Sequence, residues 1–193
     1  FIFRLKLNVD PKNPKDENRD RFVLSKGHVA PGYYSTLAER GFFPKEDLLT
    51  LRHVGSYLQG HPDMKKIPGV DMSSGSLGQG ISAAVGMALA AKLQNKDYRT
   101  YTLLGDGEIQ EGQVWEAAMF AGSRKLDNLV VIVDNNGLQI DGPIDEVNSP
   151  YPIELNSKHL TLMWLKLMVT TLIRSLMRSN RQKNAKENQQ RSL

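Results

Sequence analysis

The feature that most constrains the fold is a strand, a helix and a strand that follow one another between residues 100 and 142. Residues 100–107 (TYTLLGDG) and 128–142 (NLVVIVDNNGLQIDG) each contain an apolar run followed by a polar, glycine-containing loop, and residues 114–126 (VWEAAMFAGSRKL) lie between them. The run LVVIVD lacks the alternation of a half-exposed strand, which is typical of a parallel strand covered on both faces. The pattern predicts a βαβ unit. The fold class is therefore α/β, with a parallel sheet and helices on both faces.

The residues before this unit predict further elements of the same kind. Residues 22–28 (FVLSKGH) predict a short buried strand or turn ending at His28, and residues 31–43 (PGYYSTLAERGFF) a helix ending at Gly41. Residues 45–54 (KEDLLTLRHV) predict a second short helix with Pro44 in its first turn. Residues 69–94 begin as a Gly- and Ser-rich loop and continue as a long helix of small residues, which favours close packing in the interior.

Two polar loops fall where the predicted parallel strands end. Residues 105–107 (GDG) follow the first strand and residues 134–136 (DNN) the second, so Asp106 and Asn136 are expected at the same edge of the sheet, where ligands bind in such folds. Carboxylate and amide oxygens suit Mg²⁺, which usually keeps phosphate oxygens and waters as further ligands. Either loop alone is an ordinary turn. Together they favour a metal-diphosphate site.

Other common sites are excluded by the residues present. Residues 75–80 (GSLGQG) have their glycines in the order G-x-x-G-x-G, which is wrong for a dinucleotide site, and the chain has no P-loop motif. It contains no cysteine, which excludes disulfides, thiolate metal sites and a cysteine nucleophile. With no recognisable signal peptide, a reducing, cytoplasmic location is expected.

The net positive charge of the chain comes from its carboxyl-terminal end. Residues 154–193 carry eight Lys or Arg and two Glu, a sum of +6, so the total of +4 leaves −2 for residues 1–153. The basic balance therefore gives no reason to expect nucleic-acid binding.

Four motifs in the same order resemble those of the transketolase family. They are DRFVLSKGH, GHPD, GVDMSSGSLGQGIS and the long stretch from LLGDGEIQEGQVWEAAMFAG to NLVVIVDNNGLQIDG, which resembles the thiamine-diphosphate-binding motif of transketolases. The segments EGQVWEAA and NNGLQIDG look most like those of the separate amino-terminal subunit of a split transketolase. The resemblance covers residues 8–150.

The resemblance implies a cofactor and a cation. Asp106, the Asn136 side chain and the backbone carbonyl of Leu138 would ligate Mg²⁺ or Ca²⁺, and the cation would hold the diphosphate of thiamine diphosphate. The expected cofactor-binding residues as a set are Gly75, Leu77, Gly105, Asp106, Gly107, Glu111 and Asn136. Within that set, Gly75 and Leu77 would border the aromatic rings of the cofactor, Gly107 would admit a phosphate oxygen, and Glu111 would join a buried carboxylate network at a dimer interface.

The resemblance also implies two catalytic histidines, His28 and His61, facing the reacting carbon. A histidine near its ordinary pKa is suited to moving protons on and off sugar hydroxyls. His53 and His159 have no motif context and are expected to be ordinary residues.

The implied activity is transfer of a two-carbon ketol unit from a ketose phosphate to an aldose phosphate. A second subunit carrying the pyrimidine-binding domain would complete the enzyme as a homodimer or heterotetramer, with no nucleic-acid or membrane partner. Another thiamine-diphosphate enzyme, such as deoxyxylulose phosphate synthase or a 2-oxo acid dehydrogenase component, is one alternative. A non-catalytic fragment is another, and we expect no turnover from this chain alone.

Both ends of the chain depart from the family pattern. Ahead of the region matched by Phe1 the family has a helix and a GHPGG-type loop, and after residue 153 the family continuation is absent, so residues 1–153 are expected to form a partial domain.

The missing continuation is compatible with another reading frame of the same gene. When the codons of residues 156–169 are read in a shifted frame, they permit FKAF and VVEVDG, which resemble the missing continuation. We therefore hypothesise that residues 154–193 are an out-of-frame translation. The alternatives are a genuine helix over residues 160–177 or a basic helix on a membrane surface, since the segment is too short and charged to span one.

Overall fold

The computed structural model describes residues 7–140 and 142–153, together with the backbone of residues 164–167. The strands of these residues are β1 (Arg21–Leu24), β2 (Thr100–Gly105), β3 (Leu129–Asp134), β4 (Leu138–Gln139), β5 (Gly142–Pro143) and β6 (Trp164–Leu167). The α-helices are α1 (Ala30–Arg40), α2 (Gln79–Leu93), α3 (Gly112–Ser123) and α4 (Ile144–Val147). Short 3₁₀ segments span Gly27–Val29, Lys45–Thr50 and Glu108–Gln110.

The main sheet is parallel, with strand order β1-β2-β3-β6 among the described residues. The predicted unit of β2, α3 and β3 is confirmed, and Gly105 at the end of β2 is in register with Asp134 at the end of β3. The first five residues of β3 are buried, which agrees with a strand covered on both faces. Residues 138–143 form a separate antiparallel ladder of β4 and β5.

Two apolar cores lie on opposite faces of this sheet. Val23 of β1 joins one core with residues of α2, α3 and β3, whereas Phe22 and Leu24 join the other with residues of α1. Successive strand residues point to opposite faces, so β1 contributes to both cores. Each fully buried Leu, Ile or Val adds roughly 1.5–3 kcal/mol to stability. The predicted α/β fold with helices on both faces is confirmed.

Most of the predicted helices are present, and one is shorter than predicted. Helix α1 ends where Gly41 takes a left-handed φ of 94° and its N–H donates to the carbonyls of Leu37 and Ala38. The helix predicted over residues 45–54 is wrong beyond Thr50, because Arg52 has a φ of 62° and its N–H donates to the carbonyl of Leu58. That segment is a 3₁₀ helix, and Pro44 is its N-cap rather than a residue of its first turn.

Helix α2 packs as closely as its small residues predicted. A Cβ built on Gly80, in its first turn, would lie 2.6 Å from Cα of Ser25, so the first turn of α2 rests directly on the loop after β1. Among the described residues no helix is long and apolar enough to cross a membrane. The suggested helix over residues 160–177 is not formed at residues 164–167, which pair with β3, and the rest of that segment lies outside the described residues.

Candidate functional site

The loops after β2 and β3 are joined by the carboxylate of Asp106. Its side chain is 1% exposed, with Oδ1 accepting the Gly107 N–H at 2.9 Å and Oδ2 accepting the Gly137 N–H at 2.7 Å. The Asp106 N–H donates to the carbonyl of Asp134 at 3.1 Å. The two polar loops are therefore one structural unit at the carboxyl edge of the sheet, as the sequence predicted.

The oxygens proposed as cation ligands belong to this unit. Oδ1 of Asn136 accepts the N–H of Leu138 at 2.8 Å, and both residues are exposed in the loop that Asp106 holds through Gly137. No group of three His, Cys, Asp or Glu side chains that could hold a metal is found in the described part of the chain. One carboxylate, one amide oxygen and one carbonyl oxygen form a hard, incomplete donor set, which fits a Mg²⁺ or Ca²⁺ ion that also takes phosphate oxygens.

Gly107 has no packing reason to be glycine. Its φ of −65° is open to any residue, and an added Cβ would meet the Gln139 side chain at 3.5 Å, an ordinary contact. Gly105 is similar, since its nearest neighbour would be Lys26 Cδ at 3.5 Å. Glycines that packing does not require, beside a buried carboxylate, fit a ligand that approaches the backbone closely.

His28 and His61 lie at the same edge of the sheet. His28 follows β1 in the segment Gly27–Val29, and a Cβ on Gly75 would lie 3.4 Å from the ring of His61. Partial burial, then the Lys26 ammonium and the nearby His61, lower the pKa of His28, while the Glu108 carboxylate acts to raise it. A pKa below the ordinary value of about 6.5 favours the neutral imidazole of His28 at pH 7, the form able to accept a proton. Both histidine residues are exposed to solvent.

The loop carrying Gly75 and Leu77 is fixed to its neighbours. The Ser74 N–H donates to the carbonyl of Pro62 at 3.4 Å, and an added Cβ on Gly27 would lie 2.8 Å from the Ser74 carbonyl carbon. The buried Ser74 hydroxyl has no hydrogen-bond partner among the described residues. Leu77 is half-buried in this loop.

Glu111 is one of the exposed residues of the predicted site. It is the exposed N-cap of α3, and an added Cβ on Gly78 would lie 2.9 Å from its Cβ, so it borders the glycine loop. A carboxylate network at a dimer interface would need a second chain, and that role stays a prediction.

Sequence reasoning missed three charged residues of this edge. Lys26 forms an ion pair with Asp134 across the end of β2, and one Asp134 oxygen is buried without a hydrogen-bond partner in the described structure. Glu108 is 2% exposed and accepts hydrogen bonds from two other loops and from the end of β2. The sequence places Lys26 and Asp134 near the ends of predicted strands and Glu108 directly after the GDG loop. Most of their hydrogen-bond and ion-pair partners, however, are distant in sequence.

Comparison with known proteins shows what this arrangement resembles. The model of the family "Transketolase, thiamine diphosphate binding domain" matches residues 1–166. The 6-deoxy-6-sulfo-D-fructose transketolase subunit of a Clostridium species is 53% identical over 154 residues, which cover 80% of this chain and 56% of that protein. An apulose-4-phosphate transketolase subunit of Phocaeicola vulgatus is 50% identical over 143 residues, covering 74% of this chain and 50% of that protein.

The fold agrees with solved transketolase structures. The Pichia stipitis transketolase complex with sedoheptulose 7-phosphate superposes with a TM-score of 0.77 at 39% identity, covering 80% of this chain and 24% of that one. The chain spans about half the length of the curated subunits it matches.

Proposed function

Since this chain belongs to the family of transketolase thiamine-diphosphate-binding domains, we propose that it binds thiamine diphosphate through a divalent cation held by Asp106, Asn136 and Leu138. Together with a second subunit it would transfer a two-carbon ketol unit from a ketose phosphate to an aldose phosphate. The observation that carries the proposal is the buried Asp106 carboxylate, which joins the two strand-end loops by hydrogen bonds to Gly107 and Gly137.

The residues of this edge would divide the work of binding. The oxygens of Asp106, Asn136 and Leu138 would hold the cation, and the backbone at Gly105 and Gly107, which carries no side chain, would admit the diphosphate. The loop carrying Gly75 and Leu77 would border the rings of the cofactor, with Glu111 beside it. When bound, the cofactor supplies a carbanion and an electron sink for breaking a carbon-carbon bond.

His28 and His61 are proposed to handle the protons of the sugar hydroxyls. Because its pKa is lowered, His28 stands neutral at pH 7 and can accept a proton at its free ring nitrogen. The Lys26 charge opposes protonation of His28, and the Glu108 charge favours it.

A partner subunit is proposed on the names of the relatives. Two similar proteins are named as transketolase subunits, which supports a second chain that carries the pyrimidine-binding domain and completes a heterotetramer. A homodimer is the arrangement if one longer chain holds both domains. Sugar phosphates are the proposed substrates.

The first test is binding of thiamine diphosphate with Mg²⁺, measured by isothermal titration calorimetry on the full chain. We expect binding that disappears on chelation of the metal, and Asp106→Ala should abolish it, whereas the exposed Asp97→Ala should not change it. Unchanged affinity in Asp106→Ala would remove Asp106 from the site.

The second test is ketol transfer, assayed with the partner subunit present. Turnover of pyruvate without ketol transfer would favour another thiamine-diphosphate enzyme.

The extent of the domain is a separate proposal. We propose that residues 1–153 belong to this domain and that residues 154–193 are an out-of-frame translation, although the family match runs past this boundary to residue 166. Sequencing the coding DNA across codons 150–158 from an independent sample tests it. A missing or extra base supports the proposal, and an unchanged frame refutes it.

A further inference from the structure

Glu108 is a buried carboxylate to which the proposed function gives no role. It begins the 3₁₀ segment Glu108–Gln110 directly after Gly107, and it is 2% exposed. None of the ion pairs of the described residues includes it. A buried carboxylate without a cation is stabilised only if hydrogen bonds satisfy its oxygens.

Three donors from the loop after β1, the loop before α2 and the end of β2 satisfy Glu108. Its Oε1 accepts the hydroxyl of Ser25 and the N–H of Gly78, the latter at 2.9 Å, and its Oε2 accepts the N–H of Gly105 at 3.0 Å. These partners are 83, 30 and 3 residues away in sequence. One side chain therefore connects the loop after β1, the loop before α2 and the end of β2.

Each of these loops carries a residue of the proposed site. Ser25 is followed three positions later by His28, Gly78 directly follows Leu77, and Gly105 directly precedes Asp106. With so few residues between donor and site residue, a shift of any donor moves the corresponding site residue with it.

The loops also contact one another directly. A Cβ on Gly27 would lie 2.8 Å from the carbonyl carbon of Ser74, and a Cβ on Gly80 would lie 2.6 Å from Cα of Ser25. Backbone contact this close leaves little room for independent movement. The position of one loop is thus transmitted to the others around Glu108.

We propose that Glu108 is a positioning residue of the cofactor site, holding His28, the loop of Gly75 and Leu77, and Asp106 at fixed relative positions. The proposal rests on the proposed function, because that function assigns these residues to one site. A carboxylate suits this place because all three partners are donors and it presents only acceptors. An amide in its place turns an N–H₂ group toward at least one of these donors.

The test compares Glu108→Gln with Glu46→Gln in the full 193-residue chain. Glu46 is an exposed residue of the segment Lys45–Thr50, so the same chemical change is made away from the site. We expect Glu108→Gln to weaken binding of thiamine diphosphate with Mg²⁺ about tenfold, the scale of one unsatisfied buried donor. Glu46→Gln should bind as the unsubstituted chain does.

A nuclear magnetic resonance titration of the histidine rings separates positioning from a loss of stability. Glu108 raises the pKa of His28 against the lowering effects of burial, Lys26 and His61, so Glu108→Gln should lower that pKa further. The amide signals of Gly78 and Gly105 should move as well, because their acceptor has lost its charge. Glu46→Gln should change none of these signals.

Each outcome decides the matter. A folded Glu108→Gln chain with unchanged affinity and an unchanged His28 titration overturns the proposal. If the unsubstituted chain binds no thiamine diphosphate, the proposed function fails, while the His28 titration and the two amide signals still test whether Glu108 positions these loops.

A second variant is needed if Glu108→Gln does not fold. Ser25→Ala then replaces it, because this change removes one donor and keeps the carboxylate. About threefold weaker binding then supports positioning, and unchanged binding overturns it.

Discussion

Buried carboxylates accept backbone N–H groups at both the amino end and the carboxyl end of the sheet, but the groups around these carboxylates differ. At the amino end, Asp20 accepts the N–H groups of Asn8 and Arg99, both at 2.8 Å. At the carboxyl end, Asp106 accepts two backbone N–H groups as well. Both carboxylates fix loops to the strands. The hydrogen bonds alone therefore do not distinguish a structural end from a binding end.

The surroundings of the carboxylates make the difference. At the amino end, Asp71 accepts the Phe22 N–H at 2.8 Å and pairs with Arg19, so protein groups fill the space and neutralise the charge. At the carboxyl end, neither Asp106 nor Glu108 forms an ion pair among the described residues. Buried polar atoms without described partners do not separate the two ends, because Thr100 Oγ1 and Asn128 Oδ1 at the amino end belong to this class together with Ser74 Oγ and Asp134 Oδ1. A buried carboxylate such as Asp106, which has no protein counter-ion, fits a bound cation, whereas Asp71 is already neutralised by Arg19.

The largest expected effect on stability comes from breaking the amino-end pair. Asp71→Asn leaves the partly buried Arg19 without its counter-ion and turns an amide toward the Phe22 N–H. We expect the free energy of unfolding to fall by about 3 kcal/mol, measured by urea denaturation. The exposed Asp97→Asn is the matched control and should change it by less than about 0.5 kcal/mol. A comparably small loss in Asp71→Asn would show that this end is not held by the pair.

A pair of glycine substitutions sharpens the comparison. Gly80→Ala places a Cβ 2.6 Å from the Ser25 backbone and should cost about 1–3 kcal/mol of unfolding free energy. Gly107→Ala meets only an ordinary contact at 3.5 Å and should leave stability within about 1 kcal/mol, while weakening binding of thiamine diphosphate with Mg²⁺. Unchanged binding in Gly107→Ala would show that no ligand approaches this backbone.

The smallest expected effect is the pH dependence that His28 adds at the carboxyl end. Its pKa is lowered in the folded chain from an ordinary value of about 6.5. The unfolded chain therefore binds the proton more readily, so this contribution to stability is present above about pH 6.5 and is lost as pH falls through the folded pKa. His28→Gln should flatten the decline in unfolding free energy between about pH 7 and pH 5. An identical decline in both chains would assign it to other groups.

Much of the fold and part of the site were predictable because their signals are local. The apolar run of residues 129–133 is typical of a strand covered on both faces, and Asp106 lies directly after the predicted strand β2. Gly41 ends α1 because a left-handed residue there costs glycine little. The predicted helix over residues 45–54 failed at Arg52, where a hydrogen bond to Leu58 replaced the next helical turn.

The sequence by itself determined the parallel unit, the order of its motifs and the strand ends at which oxygen side chains stand. Only the tertiary structure decided that Glu108 holds Ser25, 83 residues away, and that Lys26 pairs with Asp134, 108 residues away. The reason is physical. A strand or a cap depends on neighbours along the chain, whereas a buried charge takes whichever partners packing brings within hydrogen-bond distance, and no local pattern specifies them.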